Sequence, residues 1–220
     1  MLKIYCNKSG IVIQYAKTMR EMIMIKIRKY LEKDRADIQK ICADTAKGAF
    51  TKKEKLRRAI CVPYVDYYMD KEPENVICAV DENDRTVGYI VVSTNPELFQ
   101  REFRENYIKM TAKYSRFLAF FTRFCVRVNK KLDKKYGGGL HINIEEGHQG
   151  QKIGNRLLDA LAEHLLSKNI RYMYLVTQNR KTRGYGFYMH YGFCEAEKYP
   201  FGSLALVYDI KKNKEKGNER

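Results

Sequence analysis

Between Leu140 and Leu158 the sequence LHINIEEGHQGQKIGNRLL sets proton-transfer groups beside an anion cradle. His141, Asn143 and Glu145 alternate with Leu140, Ile142 and Ile144, and a period of two places the polar three on one face of a strand. An imidazole, an amide and a carboxylate on that face can position a water and exchange protons with it. Ordinary strand polarity and turn solvation explain the same three residues, so spacing alone assigns none of them. The chain then breaks at Gly147 and Gly150, after which Ile153, Leu157, Leu158, Leu161, Leu165 and Leu166 recur at helical spacing. A strand therefore passes through a small polar turn into a helix of about five turns. The first turn of a helix has amides without intrahelical acceptors and carries partial positive charge. Gln149, Gly150, Gln151, Lys152, Ile153 and Gly154 would ring a phosphate placed there, with Lys152 and Arg156 adding charge. A turn glycine at 150 and a helix-packing glycine at 154 account for the pattern without any ligand.

Two motifs narrow these alternatives. QGQKIG, residues 149–154, resembles the acetyl-CoA-binding motif Gln/Arg-x-x-Gly-x-Gly/Ala of the GNAT superfamily of N-acetyltransferases. Gln149 and Gly154 fill its first and last places, and Lys152 stands where the middle glycine usually is. Phe187-Tyr188-Met189-His190-Tyr191-Gly192-Phe193 is similar to the FYxxxGF signature of the same family. The resemblance implies an α/β fold with a mixed, mostly antiparallel central sheet, a splayed parallel strand pair and flanking helices, with acetyl-CoA as co-substrate in the opening and no metal. It implies that backbone groups of Ile142, Asn143 and Ile144 hold the pantetheine arm, and that amides from Gln149 to Asn155 hold the pyrophosphate. Asn179 matches an asparagine placed near the cofactor, two residues earlier than the commonest spacing. Tyr188 aligns with the tyrosine that protonates the leaving CoA sulfur; packing of a short helix, with the hydroxyl bonded to backbone, is the alternative. The implied reaction is acetyl transfer to an amine of unidentified structure. Its base is open among Glu145, Glu146, His141 and Asn143, with Glu145 taken first.

These groups need a scaffold, and periodicity supplies one. Alternation in IKIRKY predicts a strand over 25–30, and Asp34 and Asp37 open a helix whose stripe is Ile38, Ile41, Cys42 and Thr45, ending at Gly48. Thr51-Lys52-Lys53-Glu54 has capping-box spacing for a second helix, which Pro63 kinks or divides. Strands over 75–80 and 86–93 form a hairpin through Asp81-Glu82-Asn83-Asp84. From Phe99 through Phe103, Tyr107, Met110, Tyr114, Phe117, Phe121, Phe124 and Val128 to Leu132, apolar residues recur every three or four positions. Two helices, or one broken helix, with these aromatics turned to the core follow from that pattern. This helical insertion, 97–136, is read as a lid over the acceptor site, a homodimer contact or a satellite helix covering the sheet. Gly137-Gly138-Gly139 releases the chain into the central strand, and further strands over 171–177, 193–199 and 203–210 follow. The domain spans 23–210. Residues 1–22 read as a weakly structured extension or as sequence upstream of the natural start, and the basic tail 211–220 as frayed.

Composition bounds the function. The chain has 220 residues, 45% hydrophobic and 31% charged, which is the balance of a globular domain. There is no apolar run of the ~20 residues a membrane span requires and no secretory leader pattern, so a cytoplasmic protein is expected. Cys6, Cys42, Cys61, Cys78, Cys125 and Cys194 are dispersed, without the spacing of a zinc site or a disulfide framework. The net charge of +16 is read first as solubility plus one anionic cofactor, with nucleic acid, anionic lipid or an acidic substrate as the alternatives. Residues 97–136 hold eleven Lys/Arg against four Asp/Glu. A CoA-binding sensor without catalysis and a basic nucleic-acid-associated module are the competing readings.

Overall fold

The alternating segment at the start of the domain becomes β1, Lys26–Lys29, and the helix after it is α1, Arg35–Thr45. The computed structural model describes residues 25–46, 52–199 and 202–218. The extension 1–22, Gly48 and Thr51 lie outside them. Ile38, Ile41 and Cys42 are buried on one face of α1, as their spacing predicts. Asp34 stands at the N-cap position without capping. Its buried carboxylate accepts from Arg28 at 2.7 and 2.9 Å, from the Leu31 amide at 2.8 Å and from the Thr86 hydroxyl at 3.1 Å. A carboxylate taken out of water is held best by a bidentate guanidinium, and that demand overrides a single cap.

Helix α2, Glu54–Cys61, leads through a π turn at Val62–Asp66 into α3, Tyr67–Lys71. Pro63 sits in that turn, where its missing N–H removes one rung of the helical ladder. The predicted hairpin is β2, Val76–Val80, and β3, Thr86–Val92, and every side chain of both strands is buried. Helices cover the two faces of this sheet. One core gathers Ile38, Val62, Tyr67, Tyr89 and Phe103, and the other Ile77, Ile90, Leu157 and Phe193.

The insertion folds as α4, Pro96–Glu102, a π turn at Phe103–Tyr107, α5, Ile108–Tyr114, and α6, Arg116–Tyr136. Its first half follows the predicted stripe, with Phe103 and Tyr107 buried against Tyr67. Its second half departs from it. Ser115 leaves the helical region (φ −152°, ψ 108°) and its side chain accepts from the Leu118 amide at 3.2 Å, so α6 restarts with a new phase. Leu118, Ala119, Thr122 and Leu132 turn inward, while Phe117, Phe121 and Phe124 face water. Phe103, Tyr107 and Leu132 tie the segment into the interior.

Gly138 then passes so close to Ser93 that a Cβ would sit 2.2 Å from its carbonyl oxygen, so only glycine fits this crossing. Next come β4, Leu140–Ile144, and α7, Ile153–Ser167, whose 15 residues make about four turns, one fewer than predicted. They are followed by β5, Tyr172–Thr177, α8, Arg183–Tyr191, β6, Cys194–Lys198, and β7, Leu204–Asp209. Beyond β7 the described part of the basic tail, expected to be frayed, continues as helix α9, Ile210–Asn218. Two antiparallel sheets result, in the orders β1-β2-β3-β4 and β5-β7-β6. Between β4 and β5, among the described residues, a parallel bridge joins Gly139 to Tyr174. Past that point the two strands pair no further, and the mixed sheet is splayed as the resemblance implied.

Candidate functional site

The opening lies along the free edge of β4, and the hydrogen-bond phase of that strand decides what faces it. Glu145 N–H donates to Val87 C=O at 2.9 Å, and Asn143 and His141 stand opposite Tyr89 and Val91. In an antiparallel ladder alternate residues bond across the pair, so His141, Asn143 and Glu145 spend their backbone groups on β3. Ile142 and Ile144 turn theirs to the opening. Asn143 is thereby removed from the backbone group expected along a pantetheine arm. The Ile144 carbonyl already accepts from Gln149 Nε2 at 3.2 Å, and Gln149 Oε1 accepts from Arg183 Nη1 at 3.1 Å. Gln149 thus ties the end of β4 to the start of α8.

The turn after Gln149 has two left-handed residues, Gly150 at φ +85° and Lys152 at φ +59°. This backbone explains why the motif has a glycine at the position of Lys152, because a side chain there is strained. The first helical bond of α7 is Arg156 N–H to Lys152 C=O at 3.2 Å. Six consecutive amides, Gly150 to Asn155, have no acceptor among the described residues. A Cβ on Gly150 would meet nothing within 4 Å, so open space adjoins the row. Gln151 Oε1, beside it, is buried without a partner among the described residues. Gly154 does pack, since a Cβ there would lie 2.8 Å from the Phe187 ring. The Arg156 guanidinium donates to Ile25 C=O at 2.7 Å and fastens α7 to the residue before β1.

Tyr188 lies on α8, whose first turn is capped by Thr182 Oγ1 accepting from Tyr185 N–H at 3.2 Å. Its ring packs between Phe187 and Phe193, at centroid distances of 5.2 and 5.4 Å. Burial pushes its phenol up to about 12, so it keeps its proton through the neutral range. No described residue hydrogen-bonds to its hydroxyl. Asn179 folds back on its own loop: its side-chain oxygen accepts from the Lys181 amide at 2.8 Å, an Asx turn that leads into α8.

The polar face of β4 divides. Glu145 lies one residue past the strand and accepts from Arg85 Nη1 and Nη2 at 3.2 and 2.8 Å, with Lys40 at 3.9 Å. The bond from Arg85 holds its carboxyl below the usual range, which makes it a poor base. His141 is drawn inward. Asn143 Nδ2 lies 3.0 Å from His141 Nε2 and 3.0 Å from the Tyr89 hydroxyl, and Tyr64 packs on the imidazole at 4.9 Å. Burial pushes His141 down to about 4, so it is neutral at pH 7. A base whose folded pKa lies below its unfolded value of about 6.5 stabilises the fold above that pH and withdraws this stability as pH falls toward 4. Replacing His141 by Gln should flatten the melting temperature between about pH 6.5 and 4, as read by circular dichroism. An unchanged slope would place the acid sensitivity elsewhere. Arg85, Arg183, Tyr64 and Tyr89 shape this site through partners far along the chain, and no local pattern marks them.

Residues 48–193 match the family described as acetyltransferase (GNAT). No curated protein matches the sequence. The crystal structure of SsHAT is similar over 85% of this chain and 98% of its own, with a TM-score of 0.75 at 18% identity. The Drosophila melanogaster polyamine N-acetyltransferase is similar over 84% of this chain and 99% of its own, with a TM-score of 0.58 at 10% identity. Ard1 from Thermoplasma volcanium matches 84% of this chain and 97% of its own, with a TM-score of 0.52 at 14% identity. At these identities the similarity is one of fold.

Proposed function

The chain belongs to the acetyltransferase (GNAT) family, and we propose that it moves an acetyl group from acetyl-CoA to an amine, with Tyr188 as general acid. The observation that carries this reading is the row of six amides, without acceptors among the described residues, at the mouth of the opening between β4 and β5. Such a row binds a pyrophosphate without further charge. The backbone groups of Ile142 and the amide of Ile144 face an extended arm along the same edge. The amine nitrogen bonds to the thioester carbon, the carbon–sulfur bond breaks, and the sulfur leaves with the phenolic proton of Tyr188. The resulting tyrosinate recovers a proton from solvent. Glu145, paired with Arg85, and neutral His141, held by Asn143, are both weak acceptors of the amine's proton. The acceptor therefore reacts as the free base, with its proton passed to water.

The test is calorimetric titration with acetyl-CoA, followed by release of free thiol in the presence of amines. A charge of +16 opposes polycationic acceptors, so peptide N-termini and acidic amines belong in the panel beside polyamines. Acetyl-CoA should bind, and kcat/KM should rise with pH toward the pKa of the amine. Binding without thiol release for any amine would leave a CoA-binding module. Absence of binding would remove the reading altogether.

A further inference from the structure

The outer face of α6 begins with four phenyl rings in water. Phe117, Phe120, Phe121 and Phe124 are 75%, 73%, 47% and 47% exposed. Their spacing of three and four residues puts them on one side of the helix. They are not displaced core residues, because Leu118, Ala119, Thr122 and Leu132 already fill the inner side. A contiguous apolar patch of this kind marks a contact surface.

Charge selects what it contacts. Helix α6 carries seven Lys/Arg and a single acid, Asp133, which is buried. Arg116, Arg123, Arg127 and Lys131 are exposed around and beyond the rings. A second copy of the chain would bring the same positive face to this one. The chain's own first 24 residues carry Lys3, Lys8, Lys17 and Arg20 against Glu21, and are basic as well. An anionic lipid surface complements both features, with rings at the acyl boundary and cations at the headgroups. We propose that α6 docks the protein on an anionic membrane surface, lying in the interface. It does not cross, since no described helix is long and apolar enough to span a membrane. This inference is independent of acetyl transfer.

Co-sedimentation of the full chain with vesicles tests it, using phosphatidylcholine alone and phosphatidylcholine mixed with phosphatidylserine. The chain should bind the mixed vesicles and not the neutral ones, and added salt should weaken the binding. Phe117→Ser with Phe120→Ser should lower the partition constant by roughly tenfold or more, and Arg123→Glu with Lys131→Glu should lower it comparably. Both double variants should keep the parent melting temperature, because all four side chains are exposed. Equal vesicle binding by the phenylalanine variant would reduce the effect to charge alone and overturn the proposal. So would a failure to bind mixed vesicles, whether the rings prove instead to hold duplex DNA, a protein or a second copy.

Discussion

Tyr188→Phe should keep the fold and lower the turnover of acetyl transfer by roughly 10²–10⁴-fold. The ring keeps its volume and its contacts with Phe187 and Phe193, so packing is conserved. The hydroxyl has no hydrogen-bond partner among the described residues, and its loss therefore strands no buried acceptor. Thermal stability should consequently stay near that of the parent. What is lost is a proton donor that burial has pushed up to about 12, a group protonated at every pH where the chain would work. A CoA thiolate would then leave unprotonated. Because that interaction exists only as the carbon–sulfur bond breaks, KM for acetyl-CoA should change much less than the turnover number. Single-turnover kinetics keep product release from masking the step. Parent turnover in the variant would make Tyr188 a packing residue and move the acid to solvent.

Where a property depends on residues close in sequence, it could be read directly. The hairpin of β2 and β3, the change of period after Ile144, the kink at Pro63 and the FYxxxGF helix are all of this kind. Three readings meet partners or breaks that lie outside any local window. Asp34 has cap spacing, yet Arg28 and Thr86 claim its carboxylate. Glu145 lies one residue past β4, continuing its alternation, and Arg85, sixty residues away in sequence, pairs with it. The aromatic stripe of the insertion continues in phase on paper, but Ser115 stops one helix and caps the next. One residue in extended conformation turned Phe117, Phe121 and Phe124 from core to surface. The departure at Lys152 is different in kind. Spacing exposed it at once, and the left-handed backbone supplies the reason that the motif prefers glycine there.

The cradle makes the second large prediction. Gly150→Val should weaken acetyl-CoA binding by roughly tenfold to a hundredfold, the worth of one or two charge-assisted hydrogen bonds. Space is not the obstacle, since a Cβ at 150 meets nothing within 4 Å. Backbone is. The residue sits at φ +85°, and a β-branched side chain there costs at least about 1–2 kcal/mol, enough to turn the amides of residues 150–152 away from one point. Gly150→Asn separates strain from crowding, because asparagine tolerates the left-handed region and still adds a side chain. If the backbone conformation matters, the Asn variant should bind nearly as well as the parent. If the phosphate itself presses on this position, both variants should lose affinity. Ligand that binds only the folded state raises stability by RT ln(1 + [L]/Kd), about 2.7 kcal/mol at a hundredfold excess over Kd. The melting-temperature gain from acetyl-CoA should thus shrink in Gly150→Val while the ligand-free melting temperature falls only slightly. Titration calorimetry on all three chains reads the same quantity directly. Equal affinity across them would mean that the amides of residues 150–155 do not hold the pyrophosphate, and the proposed cofactor site would have to be sought elsewhere along the β4 edge.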